Sequence, residues 1–469
     1  MVFHRMRWAQ RDGARGAQAQ PVRGAALHAA LRAARVAPVT MAWARVAFAL
    51  FACAMVAFPS AFAQETGSWS GWARLRTTAY RFESIDADDI ESDRLGAYQE
   101  FDAAVRQMSG PHLAFRFAAR LADDLYLKDR VQERGRLFVG QVEARPIERT
   151  TARFGRQFVQ EGAAGLTLDG LWLNARPSAR WDLRAWGGAR APLSRAFRTG
   201  SLGDEPAWGM RALATVSPRV RVGGSWAYRE RDGRVAARLA GLEAAVQAPY
   251  GVRLALRGAY DFERDLASRA DLLAQWQPSR SGLGRWPALT LQLVHRHPAI
   301  DAVSYFARFD SEPRNLVRAA ARHDFRWHDL GAEIEYFGSF AEDRDGHRLG
   351  GALLFKYGRI GYAARLGDIG EESDFFGDVS YEFASWGRVE AGASFVTYVL
   401  LEDALERDER DLTTAYGRAL VRPRAGVGLV LEVQSLTNPF LDEDIRVLAG
   451  LDLTAGVGAG RFGLSQGGW

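Results

Sequence analysis

Cysteine is almost absent from this 469-residue chain, where Cys53 stands alone. A single thiol excludes a disulfide framework within the chain. Lysine is nearly missing too, with only Lys128 and Lys356, so arginine carries the positive charge. Long hydrophobic runs are also lacking. The apolar stretch at 46–58 falls short of the ~20 residues that a membrane-spanning helix needs, and no later segment comes closer.

What is present begins with a targeting signature. Residues 41–64 read MAWARVAFALFACAMVAFPSAFAQ: a short start with Arg45, an apolar run, Pro59 and Ser60, then the small-x-small site Ala61-Phe62-Ala63. This pattern predicts a Sec-type signal peptide over 41–63, cleaved after Ala63. Residues 1–40 lie upstream, rich in Arg and Ala and without strand alternation. A signal peptide belongs at the true N-terminus, so 1–40 is read as the product of a misplaced start, with an unusually long n-region as the alternative. Cys53 follows Leu50-Phe51-Ala52, a poor lipobox because Phe51 is bulky, so lipoprotein processing is not expected.

The leader also holds the charge imbalance. Residues 1–63 carry eight Arg and one Asp; taking these from the 61 basic and 56 acidic residues leaves 53 and 55, a net charge of −2 against +5 for the whole chain. No basic block remains to bind nucleic acid. The one cysteine leaves with the leader, which suits an oxidising periplasm and excludes covalent c-type haem and any thiolate metal site.

The remaining 64–469 is expected to form one domain, and its pattern is a period of two. In 219–229, Val220, Val222, Gly224, Trp226 and Tyr228 alternate with Arg219, Arg221, Gly223, Ser225, Ala227 and Arg229. In 251–264, Val252, Leu254, Leu256, Gly258, Tyr260 and Phe262 alternate with Arg253, Ala255, Arg257, Ala259, Asp261 and Glu263. This is strand pitch, with one apolar side ending in aromatics and one ionic or small side. A strand that crosses a bilayer meets lipid on one face and places amphipathic rings at the interfaces. The neighbouring 267–277 runs the opposite way and carries Ala270, Leu272, Ala274 and Trp276 on its apolar side. Two aromatic belts therefore emerge from one alternation. The fold class read from this is all-β: a transmembrane, up-and-down antiparallel barrel.

Short connections bearing Pro or Gly, such as Arg145-Pro146, Arg176-Pro177, Ser217-Pro218, Ala248-Pro249-Tyr250-Gly251 and Arg422-Pro423-Arg424, largely alternate with longer polar ones such as 123–134, 189–205 and 297–312. Assigning the first set to the periplasmic side and the second to the outside gives about 22 strands, with 16 as the lower bound if boundaries merge. The closing strand is expected at 445–455, paired with 68–82, leaving 456–469 as a flexible tail.

Arg153-Phe154-Gly155-Arg156-Gln157 followed by Leu168-Asp169-Gly170-Leu171 resembles the alginate-export-type outer-membrane barrels, and more loosely other porin-like families with a GRQ strand. The resemblance covers 151–180 and implies a channel-like barrel. From the residues alone, Gly155 and Gly170 leave room at a bulge or a close strand contact, and Arg156 can pair with Asp169 across two strands as a wall ion pair or as part of the pore.

The charged sides of the clearest strands offer pore-lining candidates: Arg219, Arg221, Arg229, Arg253, Arg257, Asp261, Glu263, Arg269 and Asp271. Arginine in a water-filled pore attracts anions and holds carboxylates or phosphates bidentately, whereas mixed charges can equally pair across strands and keep the lumen wet. His295 and His297 lie two apart, but no third ligand has a recognisable spacing, so no metal and no cofactor are expected. The acidic loop 86–93 reads as solvated, without the ligand order of an EF-hand. A barrel hydrolase would need Ser, His and an orienting group on one face, and no enzyme is expected. The function read is an outer-membrane pore in a Gram-negative envelope for small hydrophilic or anionic solutes or oligosaccharide. Its expected partners are outer-membrane lipid, lipopolysaccharide, the barrel-assembly machinery and the solutes themselves, with no nucleic acid. The alternatives are a scaffold or surface-binding barrel that sheathes a partner, or an enzyme acting on lipid or polysaccharide. The sequence leaves the oligomeric state open.

Overall fold

A computed structural model describes residues 69–85, 91–107, 113–124, 135–192, 197–278, 286–297, 313–325, 329–342, 344–368, 370–400, 408–438 and 441–457. The expected leader, the bulk of the acidic loop and the tail from 458 onward lie outside the described residues.

The described chain is strand after strand. They are β1 Trp69–Ile85, β2 Glu91–Gln107, β3 Ala114–Asp124, β4 Gly135–Ala144, β5 Thr150–Glu161, β6 Ala164–Ser178, β7 Trp181–Arg190, β8 Pro206–Ser217, β9 Val220–Arg231, β10 Arg234–Ala248 and β11 Val252–Asp261. There follow β12 Leu266–Trp276, β13 Ala288–Arg296, β14 Arg314–Phe325, β15 Leu330–Phe340, β16 Asp345–Phe355, β17 Gly358–Gly367, β18 Glu371–Phe383, β19 Gly387–Leu400, β20 Asp408–Arg424, β21 Val427–Asn438 and β22 Leu441–Val457.

Each strand pairs antiparallel with its sequence neighbours, and β1 pairs with β22, so the 22 strands close on themselves. Closure removes the sheet edges that would otherwise template aggregation. The seam runs from Gly71↔Val457 to Arg81↔Val447. The expected closing partners are therefore the observed ones, with β22 running four residues earlier and two later than 445–455.

The alternation fixes two faces. Leu254, Leu256, Leu289, Leu291, Leu349, Leu429 and Leu431 are exposed on the outward side. The belts are formed as well. Trp226 lies 5.5 Å from Phe262 and Trp208 lies 5.3 Å from Tyr228 at one end, while Trp276 and Trp286 meet at 6.4 Å and Tyr357 and Tyr381 at 5.4 Å at the other. On the inward side, charge is matched across neighbouring strands. Asp452 and Glu100 flank Arg74, Arg76 and Arg120. Arg348 reaches Asp374 at 3.2 Å, Arg359 reaches Asp378 at 2.6 Å and Arg418 reaches Glu432 at 3.1 Å.

Two expectations about connections need correcting. Arg176-Pro177 and Arg422-Pro423 belong to strands that bulge there, and the turns fall just after them. Long and short connections also alternate less cleanly than expected. Outside-end connections β5–β6 and β9–β10 span two residues each, whereas β12–β13 at the opposite end runs from 277 to 287. The two-residue connections keep their register because Gly162 and the Asp232-Gly233 pair accept positive φ.

Candidate functional site

The inward face is not a plain wall. Above Gly140↔Arg156, β5 loses β4 as a partner, and above Leu168↔Arg190 the β6–β7 ladder is over. β5 and β6 continue to pair with each other up to Glu161↔Ala164. A hairpin, 157–168, therefore leaves the wall.

Its direction follows from what it touches. Ala164 and Trp172 are eight residues apart on one strand, about 26 Å if straight. Yet Trp172 Nε1 donates to Glu161 Oε1, beside Ala164, at 3.2 Å. The hairpin curls back over its own inward face. At its tip, Ala163 N donates to Ser225 Oγ in β9 at 3.1 Å, across β7 and β8. The inward side chains of the hairpin become a second layer over the wall: Leu168 is 0% exposed and Val159 2%, packed with Ala164 and Leu166 against Trp186, Ala207, Ala227 and Leu239. Phe158, on the other face of the hairpin, remains 62% exposed.

Glu161 pins the curl. Its carboxylate accepts from Arg184 Nη1 at 3.0 Å and from Arg211 Nη1 at 2.9 Å in addition to Trp172. Arg211 is held in turn by Glu243, with both bonds at 2.5 Å, and Arg184 by Asp182 at 2.8 Å. Buried charges persist when their hydrogen-bonding capacity is filled in this way. Beneath the hairpin lies a cavity of about 450 Å³ lined by Glu143, Arg145, Arg149, Arg153, Glu161, Trp172, Asn174, Arg176 and Arg184, among others. Arg153 stacks over Trp172 at 4.4 Å.

The motif singled out in the sequence sits at the root of this hairpin. Gly155 has φ +115°, and a Cβ there would lie 2.1 Å from Gly140 O. Gly170 and Gly188 approach so closely that a Cβ on Gly170 would lie 2.7 Å from Gly188 Cα. Only glycine permits the strands to cross at this spacing. Gln157 Nε2 donates to Gly170 O at 3.3 Å. Arg156 grips Asp169 through Nε and Nη2, both at 2.6 Å. Register places this pair on the outward face, yet Arg156 is only 3% exposed. Segment 197–200, from the β7–β8 connection, covers it: Arg156 Nη2 donates to Arg198 O at 2.7 Å and Gly200 N donates to Asp169 Oδ2 at 2.8 Å. The pair is a wall ion pair at a seam, where β4 and β5 part.

The pore-lining candidates do not form one group. Arg221, Arg229, Arg253, Arg257, Asp261, Arg269 and Asp271 follow the inward register. Arg269 is ion-paired with Asp271, and Asp261 is buried, its Oδ1 accepting from Glu263 N at 3.0 Å. Arg219 sits in the β8–β9 turn, at the edge of a cavity that Arg221 and Arg253 also line. Glu263 departs from the expectation. β11 ends at Asp261, so alternation no longer governs Glu263, and its carboxylate holds Arg238 at 2.8 Å, on the face shared with Tyr228. Missing from the candidates were Glu161, Trp172, Arg184, Arg211 and Glu243, the residues that fasten the hairpin. No residue pattern announces them, because the curl is a property of where the ladder stops. His295 Nδ1 lies 2.8 Å from Asn315 Oδ1 and stacks edge-on with His297, and no cluster of metal-ligating side chains forms among the described residues. Gly463-Leu464-Ser465-Gln466-Gly467 spells the nucleophile-elbow pattern G-x-S-x-G and lies outside the described residues.

No protein family matches this sequence, and no curated protein matches it either. Solved structures do match the fold. Acinetobacter baumannii OccAB4 aligns at 10% identity with a TM-score of 0.40, covering 84% of this chain and 99% of that one. Pseudomonas aeruginosa OpdK with vanillate aligns at 10% identity and a TM-score of 0.41, covering 83% and 99%. Pseudomonas aeruginosa OccD3 aligns at 11% identity and 0.41, covering 83% and 93%. At these values the likeness is one of general form, and the barrel assignment stands on this chain's own strand pairing.

Proposed function

We propose that this chain is a pore-forming barrel of a Gram-negative outer membrane that passes small hydrophilic solutes, anions among them. One observation supports the reading above others: a closed ring of 22 strands with exposed apolar side chains outside and a charged inner face. A ring of that size encloses more space than its own side chains fill. The infolded hairpin then acts as a constriction, with the Glu161–Arg184–Arg211 cluster on its underside. Lipid and lipopolysaccharide surround the belts, and the barrel-assembly machinery inserts the chain.

The resemblance of 151–180 to alginate-export barrels enters this reading only as support for a channel-like wall, since Gly155, Arg156, Asp169 and Gly170 have a structural account at the hairpin root. Single-channel recording of the purified barrel in a planar bilayer, with ion substitution, tests the proposal. Discrete conductance steps are expected. A barrel that inserts and never conducts would turn the reading toward a sheathing scaffold.

A further inference from the structure

Many arginines of the inner wall are held by an acid on a neighbouring strand, as Arg211, Arg348 and Arg418 are by Glu243, Asp374 and Glu432. The turn-bearing end of β8–β11 is different. Arg219, Arg221 and Arg253 line a single cavity of about 250 Å³ together with Gln247, and no carboxylate belongs to its lining. Among the described residues none of the three guanidinium groups has an ion-pair partner. Their positions are fixed by the backbone. Arg221 stands opposite Ala245 and Arg253 opposite Gln247 in the ladder. Gln247 N donates to Arg219 O at 2.8 Å and Arg219 N donates to Ser217 Oγ at 3.3 Å, which holds the turn against the cavity edge. Val222 and Leu254, the residues next in sequence to Arg221 and Arg253, are exposed on the opposite, outward face.

Three uncompensated guanidinium groups around one concavity repel one another and gain most from a multiply charged partner. Each fork offers parallel N–H donors that fit two oxygens of one acid group. A monocarboxylate has two oxygens and one charge, enough for a single fork. A tetrahedral dianion has oxygens in three directions and charge to share. We propose that this cavity is a docking site for a phosphate-class oxyanion at the turn-bearing end of β8–β11, on the same strand β9 whose Ser225 receives the infolded hairpin's tip. The inference rests on the pore reading only in that the lumen must be open to solvent.

The test is isothermal titration of inorganic phosphate into the full barrel in detergent micelles at low salt, with acetate and chloride at matched ionic strength. Phosphate is expected to bind in preference to both. Arg221→Gln and Arg253→Gln are each expected to weaken it at least about tenfold, the effect of losing a charge-assisted hydrogen-bonding partner. Arg359→Gln, which removes a guanidinium already paired with Asp378, is expected to leave it unchanged. Heat-modifiable migration on gels confirms that each variant is folded. The proposal is overturned if wild type shows no preference for phosphate over acetate, or if both cavity variants titrate like wild type. A barrel that binds phosphate in this way without conducting would uphold the site while removing the pore.

Discussion

Arg156 and Asp169 face each other bidentately at 2.6 Å where the β5–β6 hairpin leaves the barrel wall, and each also holds a backbone atom of segment 197–200. One ion pair thus joins the lumen hairpin to an outer connection. A buried pair broken on one side leaves an uncompensated charge, which costs about 3–5 kcal/mol. Arg156→Ala and Asp169→Ala should each lower stability in a urea refolding titration by about that much, and the double variant should cost much less than the sum. Additive losses would mean that the two side chains act independently.

The Glu161 carboxylate fastens the infolded hairpin to Trp172, Arg184 and Arg211. Glu161→Ala leaves Arg184 and Arg211 with their other acids, Asp182 and Glu243, so the expected loss is about 2 kcal/mol of local stability. The hairpin should then lift. Single-channel traces of the variant should show larger or noisier open levels than wild type, and identical traces would place the hairpin outside the current path.

Glycine at the root is required by geometry. Gly155→Ala meets both a positive φ and the Gly140 carbonyl, and Gly170→Ala meets the Gly187 carbonyl 2.2 Å away. Each should destabilise by at least about 2 kcal/mol and reduce the heat-modifiable fraction on gels. Gly165→Ala, with nothing within 4 Å of the added Cβ, should assemble like wild type.

The two wall faces should answer differently to charge. Leu254→Arg or Leu256→Arg places a guanidinium on the exposed apolar face at a cost of about 2–4 kcal/mol near the bilayer midplane. Both should lower recovery in the outer-membrane fraction. Arg253→Leu, on the opposite face, should be recovered nearly as wild type. Equal losses would exchange inside for outside.

The ring itself was readable in the sequence because each strand writes its own period of two, and because Val220–Tyr228 and Val252–Phe262 end in aromatics at the same level. The closing partners were readable for the same reason: β22 alternates as cleanly as any inner strand. The hairpin was not. Val159, Leu166 and Leu168 alternate just as wall residues do, and nothing local distinguishes a strand that stays in the ring from one that leaves it. The departure is decided by an absence, the missing β4 partner above Gly140, and by crossings that only Gly155, Gly170 and Gly188 allow. Glu263 was misplaced by the complementary error, in which alternation was carried one turn beyond the end of β11.

The departure of β5 and β6 also changes the count of staves around the ring. Near the Arg145–Arg149 turn all 22 strands take part, whereas beyond Leu168 two of them have turned inward and 20 remain, with segment 197–200 set into the gap. Because barrel diameter grows roughly in proportion to strand number, the outer rim encloses roughly a sixth less area than the inner one. The two ends of the ring are therefore unequal, and the lesser is the one from which the β5–β6 hairpin turns in.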